Sequence, residues 1–368
     1  MKQLLILTAY DGKFAVRLNG SKEHHTDGSM DVERLAELFR AQGMTVETAE
    51  FAGVDLSRDW RGWYVIYASR EDNGFFYKGY IEDVLLALQE AGAVLIPDFT
   101  AFRAHSDKAL QELLRRGFRD EMLRTPSAVA IGELSELDRV KGQVRYPAVV
   151  KIAGGSGSRG VAMVKNEQEL RETAARFMAH TYHDFSNTRR LRLGLFGKRL
   201  LRRITGRRVG GEVLFPKEYT NKIIIEEFVP GLTGDYKVLY FGGKYYCLHR
   251  LNREDDFRAS GSGRFVYPET VEEVRPVLDL ARRAAEEFGL PLMSLDIGRN
   301  EERCYLLEYQ FVFFGPYTLQ YSTHYFTFEN GDWTRVDAAS DLEEEFIAAV
   351  GRFIQNGGRG NKRGNNLM

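Results

Sequence analysis

The hydrophobic pattern of the first hundred residues alternates between short apolar runs and amphipathic stretches. Apolar runs at residues 4–8, 64–68 and 93–97 predict buried strands. Between these runs, apolar positions recur at helical spacing in residues 31–42, before Gly43, and in residues 81–88, before Gly92. Strands that alternate with helices predict a small open α/β domain over residues 1–104.

From residue 105 onward the pattern changes to strands joined by glycine-rich turns. Ser106 is expected to cap a helix over residues 107–116. Strands are predicted at residues 147–152, 161–164, 223–228, 236–241 and 244–251. Thr270 and Glu273 form a capping-box pattern before a helix that ends at Gly289, and residues 292–297 and 304–309 predict a hairpin. The predicted class is α+β, and the tail over 356–368 is expected to be disordered.

Composition and charge narrow the class of protein. Hydrophobic residues make up 43% of the 368 residues and charged residues 28%, which is typical of a compact globular protein. The formal net charge of −1 provides no overall field that would attract nucleic acid, so no nucleic-acid partner is expected. Cys247 and Cys304 lie in strand-like runs and are interpreted as small core residues. No apolar run approaches the ~18 residues that span a bilayer, so a cytoplasmic location is expected.

A glycine-rich loop joins two of the predicted strands. The predicted strand 147–152, which contains Lys151, is followed by a segment rich in glycine and serine, and residues 161–164 form the next predicted strand. The loop consists of Gly154, Gly155, Ser156, Gly157, Ser158, Arg159 and Gly160. Glycines let backbone N–H groups converge on phosphate oxygens, while a strand–loop–strand order excludes both the Walker loop and the dinucleotide fingerprint. A flexible hairpin without a ligand is the open alternative.

Polar residues at the end of the predicted hairpin form a candidate metal site. Asp296 ends one strand, and Glu308 and Gln310 end the other. Residues i and i+2 share one face of a strand, so Glu308 and Gln310 can point together toward Asp296. Carboxylate and amide oxygens suit magnesium held jointly by protein and phosphates. Solvated polar residues at a strand edge are the alternative, but the neighbouring residues are strongly apolar.

Further charged residues lie between these two sites along the chain. Glu226 and Glu227 end an apolar strand, and Asp235, Lys237, Arg250 and Arg258 follow. Each of them alone could form a surface salt bridge. Their order is more informative: a loop lysine, an acidic strand end, a basic strand pair and then candidate metal carboxylates.

This order resembles the ATP-grasp superfamily of the carboxylate–amine ligase type. The similarity covers about residues 105–315 and extends to D-alanine:D-alanine ligase, glutathione synthetase and the glutamate ligases that modify a ribosomal protein. The resemblance implies two α+β lobes that clasp ATP, a small one at 105–222 and a large one at 223–355, preceded by the small α/β domain. An ATP-grasp subfamily of polysaccharide biosynthesis is one candidate placement.

The resemblance also implies roles for individual residues. Lys108 and Lys151 match phosphate-contacting lysines, residues 154–160 match a lid over the phosphates, and Asp235 matches a ribose or substrate contact. The adenine-binding hinge is matched by Glu226, Glu227, Phe228 and Val229. Arg250, Arg258 and Lys237 match the residues that steady the transferred phosphoryl group, and Asp296, Glu308 and Gln310 match ligands of Mg²⁺, with Mn²⁺ as an alternative. Gln310 departs from the usual Asn, and Ser260 stands where an Asn often occurs.

The activity implied by the resemblance is ATP-dependent ligation. A substrate carboxylate becomes an acyl phosphate, and an amine attacks it to give an amide, ADP and phosphate. A cell-surface polysaccharide, a peptide and a small metabolite are all open as substrates. A phosphotransferase acting on a small molecule or sugar and a catalytically silent nucleotide-binding module are the alternatives.

Two segments fall outside the shared pattern. Nine of the twenty residues 189–208 are Arg or Lys and none is acidic, within an insertion at 187–211. A solvated basic insertion and a patch that contacts anionic lipid or another polyanion are both open, and the second would place the protein at the inner membrane face. Residues 11–31, with His24 and His25, are hypothesised to face the acceptor, although loop histidines are more often merely solvated. A homodimer is also left open.

Overall fold

The computed structural model describes residues 1–70, 75–154, 160–181, 217–253, 263–312 and 314–358. The helices are α1 (Val32–Ala41), α2 (Phe76–Glu90), α3 (Phe99–His105), α4 (Lys108–Arg115), α5 (Leu137–Val140), α6 (Glu167–Met178), α7 (Val271–Phe288), α8 (Tyr317–Gln320) and α9 (Leu342–Gln355). The strands of the first half are β1 (Gln3–Thr8), β2 (Val16–Gly20), β3 (His25–Ser29), β4 (Thr45–Glu50), β5 (Trp63–Tyr67), β6 (Val94–Ile96), β7 (Ala128–Ile131), β8 (Ala148–Ile152), β9 (Val161–Val164) and β10 (Ala179–Thr181). The strands of the second half are β11 (Lys217–Tyr219), β12 (Ile223–Glu227), β13 (Gly234–Phe241), β14 (Lys244–Leu251), β15 (Phe265–Val266), β16 (Leu292–Arg299), β17 (Cys304–Gln310), β18 (Tyr325–Glu329) and β19 (Asp332–Val336).

The N-terminal region forms the expected open α/β sheet. Four parallel strands lie in the order β4-β1-β5-β6. Asp31 caps α1 through its side chain, and Leu35 and Phe39 of that helix are fully buried. Their burial stabilises the domain by about 1.5–3 kcal/mol for each side chain. The antiparallel hairpin β2–β3, which the sequence did not predict, follows β1.

The middle of the chain forms a four-stranded antiparallel sheet in the order β7-β12-β8-β9. Helix α4 packs on β7 and β12. The prediction that Ser106 caps this helix is wrong, because the Asp107 carboxylate accepts the hydrogen bond from the Leu110 backbone N–H at 3.1 Å. A carboxylate at the N-cap also interacts favourably with the helix dipole.

A larger antiparallel sheet follows, in the order β17-β16-β13-β14-β18-β19, with β15 beside β14. Helix α7 packs on β13, β16 and β17, and its predicted capping box between Thr270 and Glu273 is present. Cys247 and Cys304 are buried free thiols, which confirms their interpretation as core residues.

The C-terminal helix α9 packs against the N-terminal domain. Phe346, Val350 and Ile354 share one hydrophobic cluster with Leu35 and Phe39 of α1. This core joins the first and last parts of the chain. The lobe boundaries at 105–222 and 223–355 remain predictions. Residues 356–358, where the predicted disordered tail begins, follow α9, and their backbone N–H groups donate to carbonyl groups of its last turn. The rest of the tail lies outside the described residues.

Within the described ranges, the helices are all either too short or too polar to cross a membrane.

Candidate active site

The candidate metal residues lie side by side on the paired strands β16 and β17. Asp296 is directly opposite Glu308 in the ladder, and Gln310 is opposite Ser294. A β-bulge follows Asp296, and bulges commonly redirect side chains beside active sites. The Gln310 amide Nε2 donates to Glu308 Oε1 at 3.3 Å. The predicted grouping of Asp296, Glu308 and Gln310 is thus present in the fold.

Two cations from neighbouring strands bind Asp296. Lys237 Nζ lies 3.0 Å from Asp296 Oδ1, and the Arg250 guanidinium lies 2.7 Å from Oδ2. Arg250 Nε also donates to Asp235 Oδ1 at 2.5 Å. Burial alone would raise the pKa of the Asp296 carboxyl, but Arg250 and Lys237 hold it well below its usual range. Asp296 is therefore a carboxylate at every physiological pH.

Asp235 shows the opposite balance. Burial raises its pKa in spite of the bond to Arg250, and the nearby charge of Asp296 adds to the increase. The two carboxylates share one guanidinium, so Arg250 is fixed between them. Its position in the sheet explains this geometry, because Arg250 of β14 is paired with Asp235 of β13.

Lys108 connects helix α4 with strand β17 at the candidate metal site. Its Nζ atom lies 3.1 Å from Glu308 Oε1, so a cation from the first turn of α4 reaches a carboxylate of β17. His105, at the end of α3, is buried, and burial together with Lys78, Lys108 and Lys237 lowers its pKa to about 3. This shift indicates that several ammonium groups converge on one small region.

Lys151 and Glu226 form a second ion pair between β8 and β12. Lys151 Nζ lies 2.6 Å from Glu226 Oε1, and the side chains are only 16% and 5% exposed. Burial opposes the charge of Lys151, but Glu226, assisted by Glu308 and Glu112, outweighs it and raises the pKa of the ammonium. Within the part of the chain that the structure describes, Glu226 Oε2 is buried and has no hydrogen-bond partner. That oxygen is an acceptor for a donor group of a ligand.

A cavity of about 390 Å³ opens beside this pair. Its wall includes Glu226 and Glu227 of β12, Ala128 of β7 and Glu112 of α4. The predicted hinge therefore borders a space large enough for a purine base. Val229, further along the hinge, is buried.

The strands on both sides of the glycine-rich segment are the predicted ones. β8 and β9 pair antiparallel, and the Ile152 N–H donates to Gly160 O at 2.9 Å. Gly160 has φ +72°, and a Cβ atom there would meet the Ile152 side chain at 2.7 Å, so the turn requires glycine. Gly154 is the other described loop residue. Predicted site residues outside the described ranges are Gly155, Ser156, Gly157, Ser158, Arg159 and Arg258.

Ser294 and Glu112 belong to the site although the sequence did not indicate them. Lys237 Nζ donates to Ser294 Oγ at 2.9 Å, which fixes the ammonium above Asp296. Ser294 lies two residues before Asp296 on the same strand, and residues two apart share one face of a strand. This spacing is the sequence signal that could have placed Ser294 in the site. Glu112 is buried against Arg115 at 3.0 Å, and burial raises its pKa to about 7. A charged pair one helical turn beyond Lys108 resembles an ordinary surface pair in sequence.

The donor set suits a magnesium ion that also binds phosphates. Across the described ranges, no three His, Cys, Asp or Glu side chains form a cluster that could hold a metal alone. Two carboxylates with the Gln310 amide leave coordination positions for ligand oxygens, which is the arrangement that Mg²⁺ adopts with nucleotides.

Comparisons with known proteins found a family model that matches part of the chain and several solved structures that are similar to it. A family model described as the carbamoyl-phosphate synthase L chain, ATP binding domain, matches residues 118–192. The crystal structure of D-cycloserine synthetase DcsG is similar with a TM-score of 0.51 and 16% identity, covering 95% of this chain and 99% of that chain. An ATP-grasp RimK domain protein from Sphaerobacter thermophilus has a TM-score of 0.45 and 14% identity, covering 85% and 93%. D-alanine–D-alanine ligase from Bacillus anthracis has a TM-score of 0.41 and 12% sequence identity, and the match covers 84% of this chain and 86% of that chain.

No curated protein sequence matches the chain. The full-length similarity to D-cycloserine synthetase concerns the fold, and the family model concerns an ATP-binding domain. Together they confirm the ATP-grasp fold that the sequence resemblance implied.

Proposed function

We propose that this chain, which has the ATP-grasp fold, is an ATP-dependent ligase that activates a substrate carboxylate as an acyl phosphate for attack by an amine. One observation carries the proposal. The paired carboxylates Asp296 and Glu308 are surrounded by Lys237, Arg250 and Lys108 at 2.7–3.1 Å. Such a cluster offers both metal-ligating oxygens and cations for a transferring phosphoryl group.

The nucleotide would occupy the space between the two antiparallel sheets. The free acceptor Glu226 Oε2 fits the exocyclic amino group of adenine in the 390 Å³ cavity. Lys151 and Lys108 would then exchange their carboxylate partners for phosphate oxygens. The family model and the fold similarity support ATP as this ligand.

Asp296, Glu308 and Gln310 would hold Mg²⁺, or Mn²⁺ in its place, together with phosphate oxygens. The ion would offset negative charge on the phosphates. Lys237 and Arg250 lie on the same face and would orient the γ-phosphate and the substrate carboxylate.

The residues of the chain would then support two displacement steps. A carboxylate oxygen attacks the γ-phosphorus, the bond to the β–γ bridging oxygen breaks, and ADP leaves. An amine nitrogen attacks the acyl carbon, phosphate leaves, and the nitrogen loses a proton to give the amide. Because both steps gather negative charge at phosphoryl oxygens, the cations Lys237 and Arg250 lower both barriers.

Hydroxylamine trapping tests the acyl phosphate directly. The protein is incubated with ATP, Mg²⁺, hydroxylamine and a panel of carboxylates, and hydroxamate and ADP are quantified. We expect hydroxamate to form in equal amounts with ADP for at least one carboxylate. Lys237→Gln should reduce the rate by about 100-fold. Lys165→Gln, which removes an exposed lysine after β9, is the matched control and should leave the rate unchanged.

Other products would contradict the proposal. A stable phosphate ester in place of hydroxamate identifies a phosphotransferase. Release of AMP identifies adenylation. If no ADP forms above background with any carboxylate of the panel, the result contradicts the ligase activity and favours a catalytically silent nucleotide-binding module.

Contact between residues 189–208 and an anionic surface is a separate proposal, because this segment lies outside the described residues. Its nine basic residues and lack of acids support the idea. Co-sedimentation with vesicles containing phosphatidylglycerol tests it. Binding that is unchanged after deletion of residues 189–208 would contradict it.

A further inference from the structure

An aromatic cluster lies at the rim of the candidate active site. We call it the aromatic platform and define it as Phe265, Tyr317, Tyr321 and His25. The Tyr317 ring centroid lies 5.1 Å from Phe265, 4.8 Å from Tyr321 and 5.7 Å from His25. Phe265 is 37% exposed, and His25 is also exposed. Clustered exposed aromatic rings are a common feature of binding surfaces.

The platform begins one strand away from Arg250. Phe265 of β15 is directly paired with Arg250 of β14. Directly paired residues of antiparallel strands point to the same face, with Cβ atoms about 4.5–5.5 Å apart. Arg250 contacts Asp296 on that face. The platform is therefore continuous with the carboxylates and cations of the candidate site.

Two parts of the fold build the platform. His25 belongs to the hairpin β2–β3 of the N-terminal domain, whereas Phe265 and Tyr317 belong to the second half of the chain. The hairpin is fixed to α8 by two reciprocal hydrogen bonds: Leu18 N–H donates to Gln320 Oε1 at 2.9 Å, and Gln320 Nε2 donates to Leu18 O at 3.0 Å. The platform is thus held in place without relying on contacts among its own rings.

The arrangement of the rings indicates the shape of the ligand. Neighbouring rings meet at 59° between Phe265 and Tyr317, 63° between His25 and Tyr317, and 70° between Tyr317 and Tyr321. None of these ring pairs is parallel, so none forms a slot for a flat aromatic group. A wall of inclined rings instead suits a puckered ring whose C–H bonds contact aromatic faces.

Polar groups border the same wall. Lys22 Nζ lies 4.6 Å above the Tyr267 ring, and the Tyr267 hydroxyl donates to Tyr317 O at 3.1 Å. Lys22 thus places a positive charge beside the platform, while burial, together with the charge of Glu23, raises the pKa of the Tyr317 and Tyr321 hydroxyls. The cation that would meet the carboxylate of a ligand is therefore Arg250, next to Phe265. Imidazole and tyrosine hydroxyl groups are suitable partners for the hydroxyls of a sugar.

We propose that the aromatic platform binds the ring of a sugar acid whose carboxylate is the group activated beside Arg250. This inference rests on the proposed ligase function for the fate of the carboxylate, but ring binding is independent of it. The ring lies on Phe265 and Tyr317, and its exocyclic carboxylate reaches toward Arg250, one strand spacing away. In the reaction a carboxylate oxygen forms the bond to the γ-phosphorus while the bond to the ADP oxygen breaks, and the sugar ring is unchanged.

Isothermal titration calorimetry with the full chain, in the presence of Mg²⁺ and ADP and again without them, tests the proposal. The probes are methyl α-D-glucuronoside, which has a ring and a carboxylate, gluconate, which has the carboxylate without a ring, and methyl α-D-glucoside, which lacks the carboxylate. We expect the glucuronoside to bind at least about 10-fold more tightly than either of the others. Phe265→Ala should weaken glucuronoside binding by about 3- to 10-fold, the range expected for the loss of one ring contact.

Two further measurements separate binding from a merely structural role. Tyr80→Ala removes a 41% exposed ring on α2, outside the platform, and should leave glucuronoside affinity unchanged. ADP affinity, measured in parallel, should be equal in the wild type, Phe265→Ala and Tyr80→Ala.

Each other outcome overturns one defined statement. If gluconate binds as tightly as the glucuronoside, or if neither binds with or without ADP, the platform does not bind a sugar ring. If Phe265→Ala lowers the melting temperature without changing glucuronoside affinity, the cluster is a packing contact between domains. If amino acids bind and the glucuronoside does not, the substrate class is wrong. Failure of ADP to bind overturns the ligase function and leaves the result for the sugar ring standing.

Discussion

Replacement of Lys151 by methionine should separate the stability of the buried ion pair from its role in nucleotide binding. Lys151 and Glu226 are 2.6 Å apart, and their side chains are 16% and 5% exposed. Lys151→Met leaves the Glu226 carboxylate buried without its counter-ion. Removing one partner of a buried pair costs about 3–5 kcal/mol, because the remaining charge is left uncompensated.

A second substitution identifies the source of that cost. In Lys151→Met/Glu226→Gln both charges are gone, and neutral replacements of buried ion pairs are often close to neutral in stability. We expect the double variant to lie within about 1 kcal/mol of the wild type. Neither variant should bind ADP normally, because the ammonium that would contact phosphate is absent from both. Lys141→Met, which breaks a surface pair with Glu167, should cost about 0–1 kcal/mol.

Hydrogen exchange at the amides of β8 and β12 measures the effect where it occurs. The chain has several cores, so one global unfolding transition is not assured, whereas local opening free energies are defined for each amide. A double variant as unstable as the single one, or a single variant within 1 kcal/mol of the wild type, would refute the argument.

Three other substitutions test the surrounding charges. Burial raises the pKa of Glu112 to about 7 from an unfolded value near 4.5, so the folded state binds one more proton than the unfolded state between these pH values. The free energy of unfolding therefore decreases as the pH rises from about 4.5 to about 7. In urea titrations at pH 5 and pH 8, Glu112→Gln should reduce this decrease by about 1–3 kcal/mol. Arg115→Met removes the donor to the carbonyl groups of Leu306 and Thr125 and should cost at least about 3 kcal/mol, so an unchanged urea midpoint would be evidence against this tie. Asp296→Asn should lower ADP formation by about 100-fold or more. ADP affinity without metal should stay similar, because the proposed adenine site lies at the hinge, away from Asp296; a loss of affinity alone would contradict the assignment.

The sequence predicted the elements that carry the chemistry better than the contacts among them. Alternation on a strand is a local property, so the common face of Glu308 and Gln310 could be derived from spacing alone. The sharing of Arg250 between Asp235 and Asp296 depends on the register of β13 with both β14 and β16. Register of strands distant in sequence is set by packing, and no local signal encodes it.

Several elements were missed, and two of them, the hairpin β2–β3 and helix α9, were missed for a related reason. Residues 25–29 of β3 are polar or glycine and lack the alternation that identifies a half-buried strand. This hairpin is held by hydrogen bonds between Leu18 and Gln320, which are about 300 residues apart, and by the ion pair between Arg17 and Glu343. The position of α9 on the N-terminal domain is equally non-local, because an amphipathic helix shows that it packs but not against which core.

The ion pairs of the site follow from one electrostatic requirement. Lys108, Lys151, Lys237 and Arg250 would repel one another if they were brought into one cleft without counter-ions. Each is instead held by a carboxylate: Glu308, Glu226, Asp296, and Asp235 with Asp296, respectively. Polyphosphate and a divalent cation can enter such a cleft at low electrostatic cost. The phosphates take over the lysine and arginine side chains, and the metal ion takes over the carboxylates that those side chains release. Nucleotide affinity should therefore depend more strongly on Mg²⁺ in the wild type than in Asp296→Asn, which has already lost one carboxylate partner.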